Sequence, residues 1–142
     1  MANKATEILV LGSKILEPLF LKHGFTFIEI GGGNSSGGQF SSGEFRRDAR
    51  RLELHFRYSL GMVNYYLNDR AMSHEGYMRS VIGRPYASHY PGFTSDPLDA
   101  FRDLRLDLEE HGGDFLEGTD DCLLRRIGEV LSHKEDRPKL PG

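Results

Sequence analysis

Residues Arg51–Tyr58, with the sequence RLELHFRY, decide how this chain folds. Apolar and polar side chains alternate strictly along this stretch, and successive side chains of a strand point to opposite faces of a sheet. We therefore expect a strand with one buried and one polar face. The inward positions are Leu52, Leu54, Phe56 and Tyr58, and the outward positions are Arg51, Glu53, His55 and Arg57.

A second strand over Phe40–Arg47 pairs with this one. If the turn centres on Asp48-Ala49, Phe45 lies opposite Leu52. The same register places Glu44 and Arg46 diagonal to Arg51 and Glu53, so that opposite charges come within reach. This agreement of apolar and ionic positions predicts an antiparallel hairpin.

Two further strands flank the hairpin. Phe25–Ile30 is aromatic and β-branched, and it leads into the Gly- and Ser-rich run Gly31–Gly38, which predicts a flexible loop. Leu60–Leu67 supplies the fourth strand after a tight turn. Its preferred inward set is Val63, Tyr65 and Leu67, and a one-residue slip would select Met62, Asn64 and Tyr66 instead.

Helical spacing of apolar residues precedes and follows the strands. Thr6–His23 predicts a helix that Pro18 should either kink, with a bend expected near Glu17, or divide by starting a second short helix, because Pro18 removes a backbone donor. Ser73 and Asp96-Pro97 predict capped helix starts, and Thr119 begins the last helix. Each predicted helix has a buried stripe of apolar residues. In chain order, the stripes of the four helices are Ile8, Leu11, Ile15 and Leu19 in the first; Tyr77, Met78, Val81 and Ile82 in the second; Leu98, Phe101, Leu104 and Leu108 in the third; and Leu123, Leu124, Ile127 and Leu131 in the last.

The order of these elements predicts an α+β fold. An N-terminal helix is followed by a four-stranded antiparallel meander and then by three helices packed on one sheet face. We expect one domain over residues 1–131 and a polar, disordered tail over residues 132–142.

Composition excludes several classes of protein. The chain has 142 residues and a net charge of −3, so no overall positive field attracts nucleic acid or an anionic membrane. A single cysteine, Cys122, rules out an internal disulfide and favours a reducing cytoplasm. No histidine pair has metal-site spacing, and we expect no cofactor, no metal and no membrane segment.

The outward row of the RLELHFRY strand is the first candidate binding surface. In a cleft, Glu53 and His55 could act as acid and base, with Arg57 as a further polar group. On an open face, the same residues form a solvated ladder of charge or recognise a charged partner. The Gly-rich run lacks the pattern of a phosphate-binding loop, and we assign no catalytic residue.

The loop Arg84–Phe93 is the second candidate. It combines four ring-bearing residues with two prolines, a composition common at recognition sites, although the rings could instead cover the edge of the core. The segment Ser95–Asp121 contains ten acidic residues and two arginines, and it could dock a basic partner. The candidate residues of the loop are Tyr86, His89, Tyr90 and Phe93.

Several short segments form a recognisable set. They are the Gly/Ser run, His23–Phe25, Gly43–Phe45, Arg51–Arg57, Ser59–Gly61, Ser73–Met78 and Tyr90–Phe93. This set resembles a family of small bacterial proteins over about Leu16–Leu116, but that family has no assigned activity, so no functional residue is carried over. The size, acidic helix and α+β plan are also similar to those of immunity proteins that neutralise bacterial toxins.

The leading hypothesis is a cytoplasmic, non-enzymatic interaction module that binds another protein or a second copy of itself. The alternative is a small-ligand binder or hydrolase, with a pocket between the Gly-rich run and the aromatic loop. Nucleic-acid binding ranks third, because the net charge is negative.

Overall fold

The fold is an antiparallel sheet with helices packed on it. A computed structural model describes residues 3–35, 38–83, 88–91 and 95–135. The strands follow one another across the sheet in the order β1-β2-β3-β4-β5. The elements are α1 (Lys4–Leu21), β1 (Thr26–Ser35), β2 (Gly38–Arg47), β3 (Arg50–Phe56), β4 (Leu60–Leu67), β5 (Arg70–Ser73), α2 (His74–Ile82), α3 (Asp99–His111), α4 (Gly113–Leu116) and α5 (Asp120–Glu135).

The predicted alternation along β3 is confirmed. Leu52 and Leu54 are fully buried, and Phe56 is nearly so. Tyr58 was predicted to point inward, but its side chain is 76% exposed. The reason is that β3 ends at Phe56 and the chain then bends before β4 begins, so the alternation no longer applies.

The β2–β3 hairpin has the predicted register. Phe45 pairs with Leu52, and Asp48 in the turn has a φ of 51°, in the left-handed region that tight hairpin turns require. Glu44 is diagonal to Arg51, and a guanidinium nitrogen of Arg51 lies 3.3 Å from a carboxylate oxygen of Glu44. The preferred inward set of β4 is also confirmed, since the side chains of Val63, Tyr65 and Leu67 are buried.

The Gly- and Ser-rich run is not the predicted loop. β1 continues through Gly31 and Gly33 to Ser35, where it pairs with Gly38 of β2. The Asn3 amide donates to the carbonyls of Gly33 and Phe40, and so ties this end of the hairpin to the start of α1. Pairing across the hairpin therefore overrides the weak strand preference of glycine.

The sheet has five strands, not the four predicted, and the described residues form five helices. The additional strand, β5, has only four residues and follows a tight turn at Asn68, whose φ is 54°. The additional helix, α4, replaces a predicted turn over residues 114–118. Both elements are too short to show a period in the sequence.

The buried side of α1 differs from the predicted stripe. Leu11 is 51% exposed, whereas Leu9, Gly12 and Leu16 are buried. The Phe101 ring of α3 lies so close to Gly12 that a β-carbon there would be 2.5 Å from it. This contact turns the Gly12 side of the helix inward. The helix also continues through Pro18 to Leu21, without starting a second helix.

The remaining helices begin and end near their predicted signals. The Ser73 hydroxyl caps α2, which ends at Gly83 with a φ of 78°. The Asp96 carboxylate accepts from the Leu98 amide, but α3 begins only at Asp99, later than predicted. In α5, the Thr119 hydroxyl accepts from the Cys122 amide. Leu123 and Ile127 are buried as predicted, whereas Leu124 and Leu131 are about two fifths exposed because they lie on the outer side of this outermost helix.

Two arginines beside the β2–β3 turn hold α4 against the sheet. The Arg50 guanidinium is 4% exposed and donates to the carbonyls of Phe115, at 2.7 Å, and Gly118. Arg47 donates to the carbonyls of His23 and Leu116. These bonds satisfy carbonyl groups at the end of a one-turn helix that few other partners could reach.

Two glycines within helices should respond oppositely to substitution by alanine. We expect Gly12→Ala to lower the free energy of unfolding by about 1–3 kcal/mol, because the new methyl group overlaps the Phe101 ring. Gly128→Ala in α5 should raise it by about 0.5–1 kcal/mol, since nothing lies within 4 Å of the new group. Urea unfolding monitored by circular dichroism measures both. Equal effects would contradict the described contact between α1 and α3.

Candidate functional site

Three of the predicted binding residues lie on the sheet face that points away from the helices. Glu53 and Arg57 are half-buried and His55 is exposed. Their neighbours across the strands complete a surface that we call the open face. It consists of Phe40, Glu44, Arg46, Arg51, Glu53, His55, Arg57, Met62, Asn64 and Tyr66.

The acidic groups of the open face are bound to neighbouring side chains. Glu44 is only 3% exposed, and its carboxylate contacts the guanidinium groups of Arg46 and Arg51. A Glu53 oxygen accepts from the Asn64 amide at 3.3 Å. The side chain of Arg46, by contrast, is 45% exposed. The charge that this surface presents to solvent is therefore mainly cationic.

The arginines of the open face are held against aromatic rings. The Arg51 guanidinium carbon lies 4.2 Å from the centre of the Tyr66 ring, and that of Arg57 lies 5.3 Å from the centre of the Phe40 ring. Arg57 also donates to the Ser35 hydroxyl and the Gly38 carbonyl. Such contacts reduce the conformational entropy that these side chains would lose on binding.

Large apolar side chains are exposed on and beside the open face. Met62 is 70% exposed at a register shift between β3 and β4, and Tyr58 in the preceding bend is 76% exposed. Apolar groups that lie among ordered arginines are typical of binding surfaces.

The predicted residues of the aromatic loop do not join this surface. The Tyr90 hydroxyl donates to the carbonyls of Leu60 and Gly61, and its ring packs against His74 on the helix-covered side of the sheet. His89 donates its amide to Asp107 of α3. The sheet thus separates both residues from Glu53, His55 and Arg57. Tyr86 and Phe93 lie outside the described residues.

A buried polar network beneath the sheet was missed by the sequence analysis. The His74 ring bridges the Tyr65 hydroxyl, 2.5 Å from Nδ1, and an Asp107 oxygen, 2.8 Å from Nε2. Asp107 also accepts from the amides of His89 and Tyr90. One signal was available, because Asp107 lies at helical spacing from Leu104 and thus on the predicted buried stripe.

The network stabilises the fold and is not open to a substrate. His74 is 3% exposed, and Tyr65 and Asp107 are fully buried. Burial acts to raise the pKa of Asp107, but hydrogen bonds from His74 and from the His89 and Tyr90 amides outweigh it and lower this pKa below its ordinary value. Burial raises the pKa of Tyr90 to about 12, so its hydroxyl stays protonated and donates.

Much of the acidic segment is paired within the protein. Asp99 and Glu109 contact Arg102 and Arg105 of the same helix, each at 2.5 Å. Asp114 and Asp120 contact Arg126 and Arg50, at 3.0 and 2.9 Å. Arg102 and Arg105 belong to the segment itself, so only Arg50 and Arg126 add positive charge from outside it, and the segment keeps an acidic excess.

A cleft of about 740 Å³ lies between the end of α1 and α3–α4, where Lys22, His23 and Arg105 face Glu109 and Glu117.

Within the described ranges, no cluster of His, Cys, Asp or Glu could hold a metal ion, and no helix has the length and apolar character to cross a membrane. Comparisons with protein-family models, with curated proteins and with solved structures find no match.

Two carboxylates on α3 should differ in their effect on stability. Asp107→Asn should lower the free energy of unfolding at pH 7 by about 3 kcal/mol, because it removes the charged partner of a buried network. The low pKa of Asp107 means that its contribution is present at neutral pH and is lost as the pH falls below about 4.

Asp103→Asn serves as the matched control, one turn away on the same helix. Burial and the neighbouring Asp99 raise the pKa of Asp103, so its ionised form opposes folding and its removal should leave stability unchanged or higher. Urea unfolding at several pH values measures both variants. A loss of stability for Asp107→Asn that is as large at pH 3 as at pH 7 would contradict the assignment.

Proposed function

We propose that this chain is a non-enzymatic protein-interaction module whose open face binds an acidic surface of a partner protein. The observation that carries this proposal is the coverage of Glu44 by Arg46 and Arg51. Because the carboxylate is buried beneath the guanidinium groups, an approaching partner meets the cations and not the anion. An acidic partner is therefore attracted, and a basic one is not.

The composition of the open face supports a protein as the partner. Arginine and tyrosine are enriched where binding energy is concentrated, and Arg51 and Tyr66 form such a pair near the centre of the sheet. Met62 and Tyr58 offer apolar area beside it. Side chains that are already ordered lose little entropy on association, so a modest contact area can give a stable complex.

A single-stranded nucleic acid is a less suitable partner. Bases stack on free aromatic faces, but a guanidinium group lies over the Tyr66 and Phe40 rings. The chain as a whole is also acidic, with a net charge of −3. We do not propose a small-ligand pocket, because Glu53, His55 and Arg57 are separated by the sheet from His89 and Tyr90.

We place this role in a bacterial cytoplasm, where the lone Cys122 thiol would remain reduced. A protein that neutralises a toxin by covering an acidic part of its surface is a role of this kind. The support is chemical, since a small preordered cationic face is suited to fast association with an acidic protein.

The test is affinity capture from a nuclease-treated lysate of the source organism with four baits. Wild type and Arg125→Glu should retain the same partner, because Arg125 is exposed on α5, away from the open face. Arg57→Glu and Met62→Glu should each reduce the amount retained by about tenfold or more, since a truncated hot-spot contact costs about 2 kcal/mol.

Three outcomes would overturn the proposal. One is that no protein is retained by wild type in excess of the open-face variants. Another is that Arg125→Glu loses the partner as completely as Arg57→Glu does. The third is that wild type retains the partner from an untreated lysate but not from the nuclease-treated one, which would favour nucleic acid as the partner.

A further inference from the structure

The exposed side of α1 carries charges in a self-complementary order. Lys4, Glu7, Lys14 and Glu17 are arranged symmetrically about the midpoint between Val10 and Leu11. If a second copy of the helix lies antiparallel on the first with this midpoint shared, Lys4 faces Glu17 and Glu7 faces Lys14. Both pairs then occur twice, so four ion pairs surround one centre.

These charges are available for such pairing. Lys4, Glu7 and Lys14 are exposed, and Glu17 is half-buried. None of the four makes an ion pair within the part of the chain that the structure describes, although thirteen ion pairs form elsewhere. Most other charges on the helical side are paired, which sets the exposed side of α1 apart.

An apolar groove lies at the centre of this pattern. Its volume is about 610 Å³, and it is lined by Asn3, Thr6, Glu7, Val10 and Leu11. The Leu11 side chain is 51% exposed although it is large and apolar. In the antiparallel arrangement, Leu11 of one copy meets Val10 of the other, so the apolar area is buried where the charges of the two copies surround it.

The neighbouring edge of the sheet permits a close approach. Among the described strands β1 pairs with β2 alone, and its ten residues include no Lys, Arg or Pro, although it carries an exposed Glu29 and a bulge between Glu29 and Gly31. The opposite edge, β5, has four residues and packs against α2 and α5. Ile30 lies at the bulge of β1 and has no cross-strand partner in β2, and its side chain is 54% exposed.

The helix and the strand share one centre. α1 and β1 run in opposite directions, because Thr6 lies beside Gly32 while Phe20 packs against Phe25. The midpoint of the charge pattern is about 7 Å along the helix from Thr6, which corresponds to about two strand residues. Counting back from Gly32, the midpoint falls at Ile30. The exposed Ile30 therefore lies at the same height along α1 as the midpoint of the charge pattern.

We propose that the chain forms a twofold dimer in which α1 packs antiparallel on α1 of a second copy, with Leu11 near the axis. The occupant that the charge pattern favours is a second copy, because the same helix reversed carries the opposite charge at all four positions. This interface lies on α1 and β1 and is independent of the open face, so either proposal can fail without the other.

Sedimentation equilibrium over a range of protein concentrations tests the dimer. Wild type should dimerise, and Glu7→Lys and Lys14→Glu should each raise the dimer dissociation constant by about tenfold or more, since each reversal places two like-charged pairs across the axis. An equimolar mixture of these two variants should recover association, because every facing pair is again of opposite sign. Circular dichroism checks that both variants remain folded.

The control is Lys22→Glu, an exposed charge reversal just beyond α1 and outside the pattern. It should dimerise like wild type. The proposal is overturned if wild type remains monomeric at all concentrations, if Lys22→Glu weakens the dimer as much as Lys14→Glu does, or if the mixture associates no better than its components.

Discussion

The alternation of side chains along β3 is the constraint on which the rest of the structure depends. Leu52 and Leu54 face the helices. The cross-strand neighbours of Leu52, Phe45 and Tyr65, stack on Phe20 and Phe115, with ring centres 4.2 and 4.9 Å apart. A shift of one residue would place Arg51, Glu53 and His55 in this core without partners. The cost of such burial holds the strand in register, and the same register assigns the charged residues to the open face.

The protein uses carboxylates in two different settings. Asp107 is fully buried and is satisfied by His74 and two backbone amides, so it links α3 to the sheet and to the segment around Tyr90. Glu44 is buried only by the arginines that lie over it, and it positions those arginines at the surface. The first carboxylate contributes to stability, and the second holds the arginines of the open face in place.

The sequence predicted the parts of the fold that depend on neighbouring residues along one or two strands. The β2–β3 register and the inward set of β4 follow from alternation and turn position alone. The buried side of α1 did not, because it depends on how closely Phe101 approaches Gly12. The Tyr65–His74–Asp107 network joins three separate elements, and no local pattern reveals which polar residues meet. The predicted candidates of the open face were found together for the opposite reason, since Glu53 and His55 belong to one strand and Arg57 follows directly after it.

The rates at which peroxide oxidises the methionines test the division of the sheet into a packed and an open face most directly. Met62 is 70% exposed on the open face, whereas Met72 and Met78 are 3% and 1% exposed on the helix-covered side. Peptide mass spectrometry of the isolated protein should show Met62 oxidised at least about tenfold faster than the other two. Protection of Met62 to the level of Met72 would mean that the face is covered, and would contradict the account.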